Sequence, residues 1–249
     1  MMYNPFSLEG KTILVTGASS GIGRAAAIEC SKMGATIVAT GRNEERLNEV
    51  FTRLEGDNHQ KIICDLLNED ELSQLVDNAP ILNGLIVNAG INKLVPIKII
   101  KRSDFDSILQ TNVVSSILLL QKLLKAKKIA KGASVVFTSS MSALGETATG
   151  NAMYSASKGA ITSFVRVAAL ELAPRGIRVN AVCPGEVKTS MNLANVLESN
   201  SIDDGVERYP LGRFGKPEDI ALAMVYLLSG ASEWVTGTNM VIDGGMAIR

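Results

Sequence analysis

The chain has 249 residues, of which 46% are hydrophobic, so it can form one large domain with a substantial core. Its 25 basic and 25 acidic residues cancel, which gives no electrostatic reason to expect a nucleic-acid partner. The three cysteines are scattered without a CxxC pair, so neither a disulfide framework nor a metal site is expected. We see no signal peptide and no apolar run near the ~20 residues of a membrane span. These features predict a cytoplasmic protein that does not enter a membrane.

Seven short apolar runs alternate with six longer helical patterns. The runs are TILVT (12–16), TIVAT (36–40), KIICD (61–65), GLIVNAG (84–90), SVVFTSS (134–140), IRVNAVCPG (177–185) and NMVID (239–243). The helical segments lie near 21–33, 43–54, 69–77, 103–127, 153–173 and 217–229. Apolar residues at successive positions are typical of parallel strands covered on both faces. The alternation predicts an α/β fold: a single Rossmann-type doubly wound domain over residues 1–249, with a seven-stranded parallel sheet between helices.

Two segments depart from this alternation of strands and helices. The polar stretch 187–212 follows a strand end, and it is either a lid over a site or an ordinary surface insertion. The segment 69–84 is short, so we expect a trimmed helix there without an effect on chemistry. The only histidine, His59, lies in a loop, and we assign it no role.

The sequence TGASSGIGRA (16–25) joins the first strand to the first helix. Its glycines, Gly17, Gly21 and Gly23, let the backbone turn tightly and approach a phosphate without an intervening Cβ. The helix N-terminus then offers free N–H groups, and Ser19 and Ser20 can donate further hydrogen bonds. In this position the loop favours a dinucleotide over a plain tight turn.

The second strand ends in VATGRNEERL, without the acidic residue that usually holds an NAD ribose in this fold. Arg42 stands there, and an arginine can bind a 2′-phosphate through two hydrogen bonds. The alternative is a solvated arginine at the start of a helix. The sequence favours NADP(H) over NAD.

Tyr154 and Lys158 lie four residues apart in a helical pattern, so both side chains project to one side. A cation about 4 Å away would lower the phenol pKa by about three units, toward working pH. Such a phenol could act as a general acid or base. Taken alone, the spacing is far more typical of an amphipathic helix with a half-buried tyrosine and a solvated lysine.

Together these features resemble the short-chain dehydrogenase/reductase family over nearly the whole chain. The motifs that carry the resemblance are TGASSGIG (16–23), CDL (64–66), NAG (88–90), TNV (111–113), SS (139–140), YSASK (154–158), PGEVKT (184–189) and GG (244–245). The resemblance implies a catalytic set of Asn112, Ser140, Tyr154 and Lys158. It implies a cofactor site of Gly17, Ser19, Ser20, Gly21, Ile22, Gly23, Arg42, Asp65, Leu66, Asn88, Ala89, Gly90, Tyr154, Lys158, Pro184, Gly185, Val187 and Thr189.

By this resemblance, a hydride passes between the nicotinamide and a ketone carbon while Ser140 donates a hydrogen bond to the carbonyl oxygen. Tyr154 supplies or removes the proton, Lys158 lowers its pKa, and Asn112 holds a water that links Lys158 to solvent. Thirteen residues separate Ser140 from Tyr154, about one more than in many relatives, and Ser139 and Ser142 lie close by.

The substrate class stays open at this level. A 3-oxoacyl thioester on acyl carrier protein is the leading expectation, and the basic segment 122–131 with Arg175 and Arg178 could dock that acidic partner. A solvated helix end is the other reading of the basic segment. A sugar, a polyol or another secondary alcohol is the second substrate class, and a non-catalytic NADP-binding sensor is a third function. The resemblance also implies a homotetramer.

Overall fold

The computed structural model describes residues 3–189 and 205–248, and it confirms the doubly wound parallel sheet. The strands are β1 (Thr12–Thr16), β2 (Thr36–Gly41), β3 (Gln60–Ile63), β4 (Leu82–Val87), β5 (Ile129–Thr138), β6 (Arg178–Pro184) and β7 (Asn239–Ile242). The helices are α1 (Gly21–Lys32), α2 (Glu44–Phe51), α3 (Glu69–Asn78), α4 (Arg102–Leu109), α5 (Ser115–Lys125), α6 (Ala152–Leu172) and α7 (Pro217–Leu228).

The strands lie in the order β3-β2-β1-β4-β5-β6-β7, and every neighbouring pair is parallel. The chain adds strands in one direction from β1 to β3 and then crosses to the other side of β1 for β4. A sheet of this kind has a crevice at the carboxyl ends of the strands, where the winding direction reverses. The loops after β1 and β4 therefore border the crevice.

Two apolar layers cover the sheet, as the unbroken apolar runs require. One layer contains buried side chains of α1 and α7, such as Ala26, Ile28 and Met224. The other contains those of α3, α5 and α6, such as Leu75, Leu119 and Ile161. The central strands are buried from both sides, so their carboxyl ends form a rigid base for the crevice.

The helical segment expected near 103–127 is divided in the structure. A single π-helical turn, Gln110–Val114, separates α4 from α5. The combined run Arg102–Lys125 is long and apolar enough to cross a membrane by length and composition, which the sequence analysis had not recognised. Its residues Leu119, Leu120 and Leu123 are buried against the sheet, and 39% of its most apolar stretch is buried, so packing in the core accounts for part of its apolar character.

The two irregular segments have different outcomes. The helix α3 has ten residues, in agreement with the short helix expected there. The central part of the 187–212 excursion, residues 190–204, lies outside the described residues. Of the flanking residues, Val187 forms an isolated parallel bridge with Gly215, and Val206–Arg208 form one 3₁₀ turn.

His59 has a structural role that the sequence analysis did not assign. Its Nδ1 accepts a hydrogen bond from the backbone N–H of Ile37 at 3.0 Å, and its Nε2 lies 3.0 Å from the carbonyl oxygen of Glu55. The ring also meets Phe51 edge-on, with 6.3 Å between the ring centres. A lone loop histidine gives no sequence signal for such a contact, because its partners come from β2 and α2.

We predict that His59→Leu lowers the free energy of unfolding by about 1–2 kcal/mol, because the buried Ile37 N–H loses its acceptor. Urea unfolding followed by circular dichroism measures the change. Asp57→Ala, at an exposed position of the same loop, is the matched control and should change stability by less than about 0.5 kcal/mol. Equal urea midpoints of unfolding for His59→Leu and Asp57→Ala would contradict the structural role of His59.

Candidate functional site

The glycine loop after β1 has the close backbone packing that its sequence indicates. Gly17 and Gly21 adopt φ angles of +65° and +52°, a region that favours glycine. A Cβ on Gly23 would overlap the carbonyl oxygen of Gly17 and would lie 2.6 Å from Nδ2 of Asn88. Ser20 precedes α1 without capping it through its side chain, so its hydroxyl remains available to a ligand. The first turn of α1 thus presents N–H groups to an anion in the crevice.

A threonine that sequence reasoning did not single out holds the two loops of the crevice together. The Thr16 hydroxyl oxygen accepts hydrogen bonds from the N–H groups of Asn88 at 2.9 Å and Ala89 at 3.1 Å. Its proton is donated to the carbonyl of Ile86 at 3.3 Å. Asn88 in turn accepts a hydrogen bond from the Thr138 hydroxyl at 3.1 Å. These bonds fix the ends of β1, β4 and β5 relative to one another.

The end of β2 carries one cation and no acidic side chain. Arg42 Nη1 lies 4.0 Å from Asp65 Oδ2, and the Arg42 side chain is 69% exposed. At that distance and exposure the ion pair is weak, so the guanidinium is available to an incoming anion. The hydroxyl of Thr40 is buried without a hydrogen-bond partner among the described residues, and Ser19 packs beside Gly41.

The crevice brings together most of the residues expected to bind the cofactor. It is lined by Gly17, Ser19, Ser20, Gly21, Ile22, Arg42, Asp65, Leu66, Asn88, Ala89, Gly90, Tyr154, Lys158 and Thr189. Gly23 lies behind this surface, where it permits the close contact with Gly17. The glycine cradle, and the Thr40 hydroxyl that lacks a partner in the part of the chain the structure describes, fit a dinucleotide.

Three residues of the expected catalytic set meet at the carboxyl ends of β5 and β6. Ser140 and Tyr154 line the same cavity, and the Ser140 side chain acts as a polar partner that lowers the pKa of the Tyr154 phenol. Lys158 Nζ lies 5.5 Å from the centre of the Tyr154 ring and donates a hydrogen bond to the Thr138 carbonyl at 2.7 Å. Ser139 is directed away from this group, because its hydroxyl donates to the Lys158 carbonyl at 3.0 Å.

The pKa of Tyr154 corrects a prediction from the sequence. Burial raises it from 10.0 to about 12, and the hydrogen bond with Ser140 lowers it by a smaller amount. Burial also lowers the pKa of Lys158 from 10.5 to about 8. The expected depression of the tyrosine pKa by Lys158 is therefore wrong for the unliganded chain. The reason is that both groups are largely removed from water, and desolvation disfavours the charged form of each.

Asn112 lies in the π turn, and its amide is fully engaged with protein atoms. Its Oδ1 accepts from the Ile91 N–H at 2.8 Å, while its Nδ2 donates to the Ile91 carbonyl at 2.9 Å and to the Ser157 hydroxyl at 3.0 Å. Asn112 Oδ1 and Lys158 Nζ both lie near Gly90. Asn112 therefore joins the loop after β4 to α6, next to Lys158. π turns inside helices are frequent at functional sites.

A second cavity adjoins the crevice at Tyr154, which lines both, and Ser140 lines the second cavity. Pro184 and Gly185 line this cavity rather than the crevice, and Val187 is buried in the apolar core. Its polar wall includes Asn92, Ser142, Glu146, Asn151, Glu186 and Arg208, and its apolar wall includes Leu94, Met141 and Met246. Its position beside the reacting hydroxyls makes it the candidate substrate cavity.

The basic segment 122–131 lies at the opposite edge of the sheet, where β5 begins. Arg175 donates to the Ile129 carbonyl at 2.7 Å, and Lys128 donates to the carbonyls of Asp77 and Ala79. Arg178 is half-buried and donates to two further backbone carbonyls. The Arg178 guanidinium therefore ties loops together, and only part of its side chain is left for the docking role expected of it.

The fold and the site define a nicotinamide-nucleotide-dependent oxidoreductase. A family model described as "Enoyl-(Acyl carrier protein) reductase" matches residues 17–247. The chain belongs to the short-chain dehydrogenase/reductase family, whose members act on ketones and secondary alcohols.

Named relatives divide between two substrate classes. The chain is 36% identical over 239 residues to a 3-oxoacyl-[acyl-carrier-protein] reductase of Rickettsia felis, covering 96% of this chain and 98% of the relative. A putative gluconate dehydrogenase structure from Agrobacterium tumefaciens superposes with a TM-score of 0.90 at 29% identity, covering 98% of each chain. A putative NAD(P)-dependent gluconate 5-dehydrogenase structure from Beutenbergia cavernae, with bound NADP, has a TM-score of 0.89 at 31% identity, covering 99% of this chain and 100% of that one.

We predict that Lys158→Met raises the melting temperature at pH 7 by several degrees while abolishing turnover. The ion pairs found within residues 3–189 and 205–248 do not include Lys158, so no carboxylate compensates its buried charge there. Its folded pKa is about 8 and its ordinary value is 10.5, so the cost is complete below about pH 8 and vanishes as pH rises to 10.5.

The difference in melting temperature between Lys158→Met and the wild type should therefore be largest at pH 7 and small at pH 10. Differential scanning calorimetry at both values measures it. Lys125→Met, at an exposed position, is the control and should show no such pH dependence. A difference in melting temperature that stays constant with pH would contradict the explanation by a buried lysine charge.

Proposed function

We propose that the protein is an NADPH-dependent carbonyl reductase in which Ser140, Tyr154 and Lys158 act on the substrate carbonyl. The observation that carries the proposal is that Ser140 and Tyr154 line one cavity, with Lys158 Nζ 5.5 Å from the centre of the tyrosine ring. The nicotinamide supplies the hydride. The chain orients the ketone, stabilises charge on its oxygen and delivers the proton.

The pKa values favour the reducing direction. With a pKa of about 12, Tyr154 is protonated at neutral pH, and a protonated phenol can donate to an oxygen that gains negative charge. Lys158, with a pKa of about 8, keeps its positive charge at pH 7 and stabilises the same developing charge. Removing a proton from an alcohol would instead require the phenolate, which burial disfavours.

The preference proposed for NADP(H) over NAD(H) rests on the side chains at the carboxyl end of β2. Among the described residues, the Arg42 guanidinium has one carboxylate within 4.0 Å, that of Asp65, and the buried Thr40 hydroxyl has no hydrogen-bond partner. A 2′-phosphate would accept hydrogen bonds from both groups. The site proposed for NADP(H) comprises the cofactor residues given above, with Pro184, Gly185, Val187 and Thr189 toward the nicotinamide end.

For the substrate, we propose a 3-oxoacyl thioester carried on acyl carrier protein, on the strength of the similarity to the Rickettsia felis reductase. A sugar or polyol is the second candidate, and the polar wall of the substrate cavity favours it. In that wall the amide oxygens of Asn92 and Asn151 are buried without partners among the described residues. Hydroxyl groups of a sugar could donate to such oxygens.

The proposed assembly is a cytoplasmic homotetramer. Leu170 on α6 is 77% exposed and Val167 is 53% exposed, while Trp234 and Ile248 near the C-terminus are almost fully exposed. Large apolar side chains in such number at two faces are suited to contacts between subunits.

The reaction is tested by NADPH consumption with acetoacetyl thioester and with a panel of sugar ketones. We predict that Tyr154→Phe lowers kcat at least about 100-fold because the proton donor is lost, while NADPH affinity stays within about twofold. Tyr3→Phe, at a position that is 89% exposed, is the matched control and should retain wild-type turnover.

The outcomes separate the candidate functions. Turnover of the thioester supports the acyl substrate, and turnover of sugar ketones alone moves the assignment to the second class. NADPH binding without turnover of any ketone would replace the enzyme proposal with that of a cofactor sensor.

We predict that Arg42→Ala raises the KM for NADPH about 10- to 100-fold and leaves the KM for NADH unchanged, because only NADPH carries the 2′-phosphate. Steady-state kinetics with both cofactors measure the two constants. Arg53→Ala, an exposed arginine beyond the end of α2, should alter neither. Equal losses for both cofactors would mean that Arg42 does not recognise the phosphate.

A further inference from the structure

Ser140 can assist catalysis only if its single hydroxyl proton points at the substrate. The Ser140 oxygen already accepts a hydrogen bond from the backbone N–H of Ser142 at 3.1 Å, at the start of the 3₁₀ turn Met141–Ala143. This bond occupies a lone pair of the oxygen and leaves the proton for the Tyr154 side of the cavity. The direction of the Ser140 hydroxyl therefore depends on where Ser142 is held.

Ser142 is held by a side chain from the segment that starts α6. Asn151 Nδ2 donates to the Ser142 hydroxyl at 3.1 Å, and Asn151 is only 7% exposed. The Asn151 side chain does not cap α6, although its backbone carbonyl accepts the N–H of Ser155 at 2.9 Å. The amide is therefore committed to the turn of Ser140 rather than to its own helix.

Two side-chain bonds fasten the 139–142 segment to α6. One joins the Ser139 hydroxyl to the Lys158 carbonyl, before Ser140 in the chain. The other joins Asn151 to Ser142, after Ser140. Ser140 thus lies between two anchors on the helix that carries Tyr154, and loss of the second anchor frees the turn that orients its hydroxyl.

We propose that Asn151, acting through Ser142, is a positioning residue that holds the Ser140 hydroxyl beside Tyr154 with its proton available to the substrate carbonyl. The inference rests on the proposed carbonyl reduction and adds a residue to it. The rival explanation is that Asn151 contacts the substrate directly, since its Oδ1 has no partner among the described residues and the residue lines the substrate cavity.

The kinetic test uses the full-length protein with NADPH and whichever ketone it reduces. Asn151→Ala and Ser142→Ala should each lower kcat about tenfold with KM within twofold, and the double variant should match the single ones. In a Ser140→Ala background, Asn151→Ala should have no further effect. Asn78→Ala removes a hydrogen bond of the same kind to Gln74 at the far end of α3, and should leave kcat unchanged.

A second measurement does not depend on turnover. With only four tyrosines, the protein allows the ¹³Cζ signal of Tyr154 to be assigned by its loss in Tyr154→Phe. Ser140→Ala should shift this signal because a hydrogen bond to the phenol is lost. Asn151→Ala and Ser142→Ala should shift it in the same direction, and Asn78→Ala should not.

The proposal is overturned if the Tyr154 signal of Asn151→Ala matches the wild type, whether or not a substrate is known. It is also overturned if Asn151→Ala changes KM alone, or still lowers kcat in the Ser140→Ala background, since either result indicates direct contact with substrate. Shifted NMR signals in a protein that reduces no ketone would support the positioning contact and refute carbonyl reduction separately.

Discussion

The site depends on one shared hydroxyl group. Thr16 lies at the carboxyl end of the central strand β1. Its hydroxyl accepts hydrogen bonds from two backbone N–H groups of the loop after β4 and donates one to the Ile86 carbonyl in β4. Because β1 and β4 are parallel neighbours, their following loops meet at one edge of the sheet. The hydroxyl satisfies N–H groups that would otherwise be unpaired where the sheet ends, so a deep crevice can exist there without the cost of orphaned polar groups.

The polar groups of the catalytic group are not satisfied in the same way. Lys158 is 4% exposed, bonds one carbonyl and has no carboxylate partner among the described residues, while Tyr154 is held as a phenol near it. Burial without compensation is unfavourable, and the rest of the fold must offset it. The burial of two apolar layers against the seven-stranded sheet contributes the stabilising free energy that offsets it. The arrangement is typical of active sites, where perturbed groups are retained despite their effect on stability.

The sequence predicted the elements that depend on local pattern. All seven strands were located from apolar runs, and in the five inner strands burial on both faces explains the continuous signal. The edge strands β3 and β7 keep apolar runs although they are only partly buried. The glycine loop was also predictable, since Gly17 and Gly23 occupy places where backbone geometry excludes a Cβ. The contacts of His59, Arg178 and Asn151 were not predictable. Each includes at least one partner nine or more residues away in the chain, and one polar side chain is compatible with many surroundings.

The direction in which the pKa of Tyr154 shifts shows why the sequence spacing of Tyr154 and Lys158 does not by itself predict that pKa. An i, i+4 pair fixes the separation of Tyr154 and Lys158, but the pKa values depend on how much water the completed cavity admits. Ordinary lysine and tyrosine lose protons at similar pH, whereas in this site lysine titrates at about 8 and tyrosine at about 12. On raising the pH, the pair first loses the lysine charge and keeps the phenol proton. The chain by itself therefore maintains a proton donor over the physiological range. A phenolate would require an additional positive charge in the crevice, because burial of the pair stabilises the neutral form of both groups.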